Sequence, residues 1–179
     1  METFIKTYKI DKTICKNLIK YHNKNKEYKG EGRCYSKTGI DKNIKDSTDV
    51  MFFNPSNDVD IINFFKELSK CVTNYIDTYF LQGQYRTSVL NLIQHYKPGQ
   101  GFKIWHYENG GDGIDRVLVY MLYLNTLKDG GTEWDFQKMK LNAVEGDLVI
   151  WPAAFTHRHK GVISNKQEKY IATGWLESV

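Results

Sequence analysis

The chain has 179 residues, 41% of them hydrophobic and 14% aromatic, and carries a formal net charge of +4 at pH 7. This length supports one hydrophobic core and is short for two, and the apolar content excludes an intrinsically disordered protein. No apolar run reaches the roughly 18 residues of a membrane-spanning helix, and the first residues lack the apolar stretch of a signal peptide. We therefore expect a single domain over residues 1–179, without a membrane partner.

The N-terminal part of the chain, residues 1–86, is predicted to be a helical support region. Apolar residues at helical spacing indicate a short amphipathic helix over residues 12–24, and the polar residues 25–50 indicate a long loop. A second helix over residues 58–80 follows Ser56-Asn57-Asp58, whose side chains can cap its first turn. Its apolar stripe, which favours packing against a sheet, consists of Ile61, Phe64, Phe65, Leu68, Val72, Tyr75, Ile76 and Phe80.

From residue 87 the pattern changes to short strands, which are rich in β-branched, aromatic and aliphatic residues and separated by turns with Gly and Asp. Eight such runs without intervening helices indicate a mainly β fold, a sandwich or barrel, over residues 87–177. Residues 117–124 are apolar at nearly every position, so both faces of that strand should be covered, one by the barrel interior and one by the 58–80 helix. The predicted strands cover residues 87–96, 102–108, 116–125, 132–137, 139–141, 147–151, 156–162 and 169–176.

The basic residues are concentrated near the N-terminus, where residues 1–50 hold 12 Lys and Arg against 7 Asp and Glu. A solvated Lys-rich surface is the simplest explanation, and contact with an acidic partner or nucleic acid is the alternative. No surface that combines aromatic and basic residues stands out, so we expect no nucleic-acid partner.

The cysteines bear on the cellular compartment. Cys15, Cys34 and Cys71 are odd in number and lack the spacing of a metal site. This indicates free thiols in a reducing environment. We therefore expect a cytoplasmic protein, in the host cytoplasm if its source is a virus.

Chemistry is indicated by His106 and Glu108, which are two residues apart in a predicted strand. Side chains at this spacing share one face of a strand, so both could bind one metal ion. A second histidine from another strand would complete the 2-His-1-carboxylate set that holds non-haem Fe(II) with open coordination positions. His157 and His159 are both candidates, since they have the same strand parity. Taken alone, His106 and Glu108 could equally be an ordinary surface or core pair.

These residues belong to a longer series of motifs that spans about residues 87–177. The series comprises Tyr96-Lys97-Pro98-Gly99, Trp105-His106-Tyr107-Glu108, Arg116–Asn125, Asp129–Glu133, Glu145–Trp151, His159-Lys160-Gly161 and Glu168–Trp175. Its order and spacing resemble the Fe(II)/2-oxoglutarate-dependent dioxygenases, and within them the prolyl 4-hydroxylase-like branch. The wording of several motifs is also similar to small bacterial and phage members.

The resemblance implies a double-stranded β-helix, which is a jelly-roll barrel, with iron near its open end and with 2-oxoglutarate and O2 as co-substrates. It implies that His106, Glu108 and His159 bind Fe(II), because the distance from His159 to Lys169 matches the family pattern. His157 is then the alternative ligand or a neighbour of the site. Most members carry Asp where this chain has Glu108, and the longer side chain can still bind iron.

The resemblance also implies a set of residues that contact 2-oxoglutarate. Lys169 would pair with the distal carboxylate, whereas without the resemblance it would be an exposed lysine at a strand start. Tyr96 and Tyr123 would place phenol groups near the co-substrate, and the alternative for either is a core aromatic. Thr173 and Trp175 share strand parity with Lys169 and should face the same cavity.

The predicted reaction is hydroxylation of a prolyl or other side chain in a peptide or protein, with succinate and CO2 as co-products. Arg116, at the start of a strand, either faces the substrate or pairs at the barrel rim. One alternative is the same chemistry on a free amino acid, a small metabolite or a nucleobase. Another is a non-enzymatic jelly-roll binding module with a vestigial metal site.

Overall fold

The computed structural model describes residues 2–34, 37 and 39–179, which form two α-helices and thirteen strands. The helices are α1 (Lys12–Lys24) and α2 (Val59–Tyr79). The strands are β1 (Lys6–Lys9), β2 (Lys29–Glu31), β3 (Lys45–Asp46), β4 (Thr48–Phe53), β5 (Tyr85–Thr87), β6 (Leu90–Tyr96), β7 (Gly101–Phe102), β8 (Arg116–Tyr123), β9 (Gly131–Trp134), β10 (Met139–Asn142), β11 (Asp147–Pro152), β12 (His159–Val162) and β13 (Lys169–Ser178).

The strands form a large sheet of eight strands and two smaller sheets. The large sheet has the order β1-β11-β8-β13-β6-β4-β2, with β5 added to β13, and the smaller sheets are β10-β9-β12 and β3-β7. Neighbouring strands pair antiparallel in each of the described ladders. The predicted fold class, a mainly β jelly roll with flanking N-terminal helices, is confirmed.

Both helices lie close to their predicted bounds, and their first turns explain where they begin. Asp11 accepts a hydrogen bond from the backbone N–H of Thr13, and Asp58 accepts bonds from Asp60 and Ile61. These side chains satisfy backbone donors that have no partner inside the helix. The second helix ends at Phe80, which adopts a left-handed backbone conformation with φ 52°. No helix in the described part of the chain combines the length and hydropathy that crossing a membrane requires.

The central strand β8 is covered on both faces, as predicted. Its even-numbered residues from Leu118 to Leu122 belong to a cluster with Phe64 and Leu68 of α2. Its odd-numbered residues from Val119 to Tyr123 belong to a second cluster with Trp134 and Trp151, between the large sheet and β9. The helices therefore cover the outer face of the large sheet, while its inner face packs against the smaller sheet that contains β9.

The prediction for residues 1–86 was wrong in one respect, because this region also contributes strands to the large sheet. β1 pairs with β11, and β4 pairs with both β2 and β6, so residues 25–50 are not one long loop. β1 and β2 are edge strands whose polar side chains face water, and their sequences therefore lack an apolar alternation. Three other predicted strands were too long. The strand predicted over residues 102–108 ends at Phe102, and the one predicted over 132–137 ends at Trp134. The strand predicted over 156–162 begins only at His159, after the 3₁₀ turn Phe155–His157.

Gly174 lies opposite Tyr120 in the β13–β8 ladder, and its lack of a side chain makes room for a buried hydrogen bond. Tyr120 Oη donates to Asn91 Oδ1 at 2.7 Å, and a Cβ at position 174 would overlap both groups. Overpacking of this kind costs about 1–3 kcal/mol, so Gly174→Ala should lower the free energy of unfolding by that amount. Urea denaturation measures the change. Gly30→Ala is the control, since a Cβ there meets nothing within 4 Å; equal stability of the two variants would contradict the expectation.

Candidate active site

His106, Glu108 and His159 converge, and one ligand atom from each lies within 4.8 Å of the others. The segment that carries His106 is not a regular strand. It is joined to β12 through an isolated bridge, in which His106 N donates to His159 O at 3.0 Å and His159 N donates to His106 O at 2.8 Å. Glu108 N donates to Ala153 O at 3.0 Å. These contacts bring the three side chains together although the predicted strand ends early.

Backbone carbonyls determine how the two imidazoles face the carboxylate. His106 Nδ1 lies 3.0 Å from Ile104 O, and His159 Nδ1 lies 3.0 Å from His157 O. A carbonyl only accepts, so each Nδ1 carries the proton and each Nε2 presents a lone pair. The two Nε2 atoms lie 3.5 and 3.7 Å from Glu108 Oε1. All three ligand atoms therefore point toward one small volume.

The charge state of this cluster also suits a divalent cation. Burial opposes ionisation of Glu108, but His106, His159 and Arg116 outweigh it and lower the pKa of that carboxyl to about 2. Burial and, secondarily, His106 lower the pKa of His159 to about 3. The site thus offers an ionised carboxylate beside a neutral imidazole, which are the forms that bind metal. Two imidazole nitrogens and one carboxylate oxygen fit Fe(II) by ligand type.

The second carboxylate oxygen of Glu108 is held by two residues that the sequence analysis placed near the site. Trp175 Nε1 donates to Glu108 Oε2 at 3.0 Å, and Arg116 Nη1 lies 3.3 Å from the same oxygen. The guanidinium of Arg116 lies over the Trp175 ring, 3.6 Å from its centroid. The ion pair with Glu108 fits the pairing that the sequence offered for Arg116, and its contact with substrate stays a prediction.

Aromatic rings surround the imidazoles. The Phe102 ring stacks on His106 with centroids 3.5 Å apart, and Trp151 lies edge-on to His159 at 5.0 Å. These rings limit the access of water to the polar cluster, which strengthens the electrostatic interactions inside it. Phe102 was not among the predicted site residues, although its even spacing from His106 was a usable signal.

Lys169 is buried next to Tyr96, with 4% of its surface exposed. Its Nζ lies 4.7 Å from the centroid of the Tyr96 ring, and the two residues are opposite each other in the β13–β6 ladder. Burial lowers the pKa of Lys169 to about 8. Among the described residues, no carboxylate forms an ion pair with it. A buried, unpaired cation of this kind fits a ligand that brings a carboxylate.

The other predicted co-substrate residues have protein partners. Tyr96 Oη donates to Gln94 Oε1 at 2.6 Å, and burial raises its pKa far above the usual range. Tyr123 Oη donates to Thr132 Oγ1 at 2.8 Å, and Thr173 Oγ1 donates to Tyr120 O at 2.9 Å. All three predicted side chains lie at positions of β6, β8 and β13 that share the inner face of the large sheet with Lys169.

Sequence reasoning missed a polar cluster beside Tyr96 because it lies in the segment predicted as loop. Lys45 Nζ and Asp49 Oδ2 form a buried ion pair at 2.7 Å, and Ser47 Oγ donates to Asp49 Oδ1 at 2.8 Å. Asp49 is opposite Gln94 in the β4–β6 ladder. The alternation of Lys45, Ser47 and Asp49 was the available signal, but polar residues at this spacing also occur on exposed strands.

His157, the alternative ligand, lies away from the cluster. It ends the turn Phe155–His157, where its Nε2 donates to Thr3 O at 2.9 Å and its Nδ1 lies 3.0 Å from Thr156 Oγ1. Burial lowers the pKa of His157. Both ring nitrogens therefore have partners, and the hydrogen bond to Thr3 O joins the N-terminal segment to the turn before β12.

Comparison with known proteins gives one family match and several similar structures. Residues 92–177 match the family model of the 2OG-Fe(II) oxygenase superfamily. No curated protein matches the chain.

Three solved structures share the fold at low sequence identity. The viral collagen prolyl hydroxylase of Paramecium Bursaria Chlorella virus-1, in complex with 2OG, is 17% identical with a TM-score of 0.75, covering 98% of this chain and 97% of its own. A Pseudomonas putida prolyl-4-hydroxylase is 16% identical with a TM-score of 0.75, covering 99% and 94%. A prolyl hydroxylase from Trichoplax adhaerens, in complex with a hypoxia inducible factor peptide fragment, is 15% identical with a TM-score of 0.75, covering 98% and 84%.

Proposed function

We propose that this chain, whose residues 92–177 match the 2OG-Fe(II) oxygenase superfamily, hydroxylates a prolyl or other side chain of a peptide or protein. As a 2-oxoglutarate-dependent dioxygenase it requires Fe(II), 2-oxoglutarate and O2. The observation that carries the proposal is the convergence of two imidazole nitrogens and one carboxylate oxygen, together with a buried lysine that has no carboxylate partner among the described residues. The proposed co-products are succinate and CO2.

The proposed iron ligands are His106 Nε2, Glu108 Oε1 and His159 Nε2. When bound, the iron supplies the redox chemistry that activates O2, with 2-oxoglutarate as the source of electrons. The protein's own contribution is to hold the imidazoles in one tautomer, keep the carboxylate ionised and exclude water with Phe102 and Trp151. Each of these tasks is supported by contacts of the named residues.

The proposed contacts of 2-oxoglutarate begin with Lys169, whose charge would pair with the distal carboxylate. Tyr96, Tyr123 and Thr173 lie on the adjacent inner-face positions and would line the same site. Their hydroxyl groups already donate to protein acceptors, and 2-oxoglutarate has no donor to offer them, so these side chains would shape the space around the co-substrate. Trp175 shares this face, but its indole N–H is engaged by Glu108.

A peptide or protein substrate is supported by the surface beside this site. Leu92 lies opposite Thr173 on one side and opposite Met51 on the other. Leu90 lies opposite Phe53. These residues extend the inner face of the sheet outward as an apolar strip. Met51, Phe53 and Leu90 are exposed. An exposed apolar strip suits the side chains of a polymer better than a small polar metabolite. Two of the similar structures are, by their descriptions, a collagen prolyl hydroxylase and a peptide complex.

The location of the protein is proposed to be cytoplasmic. Cys15, Cys34 and Cys71 are free, and this supports a reducing compartment.

Two measurements test the proposed function in sequence. Anaerobic addition of Fe(II) and 2-oxoglutarate to the purified protein should give the weak visible charge-transfer band of a chelated oxo acid. In air, a proline-containing peptide should then increase succinate formation and gain one oxygen atom by mass spectrometry, while the same peptide with alanine in place of proline should not.

The alternatives give different results in the same experiment. Stimulation by a free amino acid, a small metabolite or a nucleobase, but by no peptide, would favour a small-molecule oxygenase. Absence of the band together with absence of succinate would favour a jelly-roll binding module whose metal site is vestigial.

A further inference from the structure

We propose that Trp175 and Arg116 are positioning residues that aim one oxygen of Glu108 at the metal by holding the other. The inference rests on the proposed metal site and deepens it. It assigns Trp175 to the orientation of the carboxylate, whereas strand parity alone had placed it among the 2-oxoglutarate contacts.

The two oxygens of Glu108 have separate environments. Oε1 faces the free Nε2 atoms of His106 and His159, at 3.5 and 3.7 Å. Oε2 accepts the indole N–H of Trp175 at 3.0 Å and faces the Arg116 guanidinium at 3.3 Å. Hydrogen bonds to an ionised acceptor are stronger than neutral ones, so this division fixes the rotation of the carboxylate.

Arg116 and Trp175 also hold each other. The guanidinium lies over the indole ring, 3.6 Å from its centroid, at a distance where cation–π attraction applies. Gly113 leaves the space for this arrangement, since a Cβ there would lie 2.6 Å from Glu108 O and 3.0 Å from Arg116 Nε. The two donors come from paired strands, Arg116 from β8 and Trp175 from β13.

The length of the Glu108 side chain explains why it needs two partners outside the ligand set. Glu has one more rotatable bond than Asp, and a freer side chain loses more entropy when it is fixed in one geometry. Partners outside the ligand set usually supply that restraint, and their loss typically weakens metal binding by about 10–100-fold. A shorter aspartate in the same backbone position would not reach Trp175 and would not depend on it.

Trp175→Phe tests the inference, because it removes the indole N–H and keeps an aromatic ring under Arg116. The dissociation constant for Fe(II), measured anaerobically without 2-oxoglutarate, should rise by about 10-fold or more. In the Glu108→Asp background the same Trp175→Phe change should alter the constant by less than about two-fold, because the shorter carboxylate no longer accepts the indole N–H and residues that are in contact give such non-additive effects. Arg116→Gln provides a second variant that leaves Trp175 in place, and it should weaken Fe(II) binding in the same direction.

Trp105→Phe is the matched control, since its exposed indole contacts Arg158 and Lys160 rather than Glu108. It should leave Fe(II) binding unchanged. An equal loss of affinity in both the Glu108 and Glu108→Asp backgrounds would overturn the inference, because it would mark a general packing effect. Unchanged affinity in both single variants would overturn it as well. If the wild-type protein binds no Fe(II), the proposed function fails along with the inference, whereas wild-type binding with unaffected variants overturns the inference alone.

Discussion

His159→Ala is expected to abolish Fe(II)-dependent consumption of 2-oxoglutarate, whereas His157→Ala is expected to retain it. His159 Nε2 lies 3.7 Å from Glu108 Oε1 and its lone pair points into the ligand cluster. His157 instead donates to the backbone oxygen of Thr3 at 2.9 Å. Succinate formation and the anaerobic charge-transfer band measure the difference directly.

The same pair of variants should not separate in stability, because each histidine donates to a backbone carbonyl. His157→Ala removes the donor to the partly buried Thr3 O, and His159→Ala removes the donor to the buried His157 O. Each loss costs about 1–3 kcal/mol, so both metal-free variants should melt below the wild type. Thermal melting of the metal-free variants checks this expectation. Loss of the charge-transfer band in His157→Ala but not in His159→Ala would reverse the ligand assignment.

Lys169→Met is expected to weaken 2-oxoglutarate binding by at least about 30-fold, since truncating one partner of a buried charge pair costs roughly 2–5 kcal/mol. The lysine is nearly fully buried next to Tyr96 and has no carboxylate partner among the described residues. Titration of 2-oxoglutarate into the Fe(II)-loaded protein measures the change. Lys140→Met, on the exposed strand β10, is the control and should bind as the wild type does.

In the absence of 2-oxoglutarate the same substitution should stabilise the fold at neutral pH. Burial lowers the pKa of Lys169 to about 8. In the unfolded chain the pKa of this lysine is about 10.4. The charged form is therefore destabilised in the folded state, where it is buried, relative to the unfolded state, where it is in water, by as much as about 3 kcal/mol. The penalty is complete below pH 8 and fades as pH rises toward the unfolded pKa. The advantage of Lys169→Met should therefore shrink over that interval, and an advantage independent of pH would contradict this account.

The chemistry of the site was more predictable from sequence than the path of the chain that builds it. His106 and Glu108 do face one point, although the reason given, a continuous strand, was wrong beyond Phe102. His106 and Glu108 still face the same way because a single bridge to His159 and one hydrogen bond to Ala153 orient the segment that carries them. Such isolated contacts depend on distant residues and leave no periodic pattern in the sequence.

The helices and β8 were predicted because their patterns are strong and local. Asp58 stands directly before a long apolar stripe, and residues 117–124 are apolar enough to require cover on both faces. The Glu108–Trp175 hydrogen bond, in contrast, joins residues 67 positions apart, and parity alone could say only that Trp175 faces inward. The buried ion pair of Lys45 and Asp49 was also missed, because charged residues in a polar stretch are typical of a loop.

The two edges of the large sheet have a consequence for the behaviour of the chain in concentrated solution. β1 and β2 span four and three residues, and each presents one row of backbone groups without a neighbouring strand in the described structure. Short edges that carry lysine resist pairing with the edge of another molecule, because docking would strip water from the charges. Lys6, Lys9 and Lys29 occupy these edges. The polar side chains of β1 and β2, which made both strands difficult to predict from the sequence, thus oppose aggregation through the edges of the sheet.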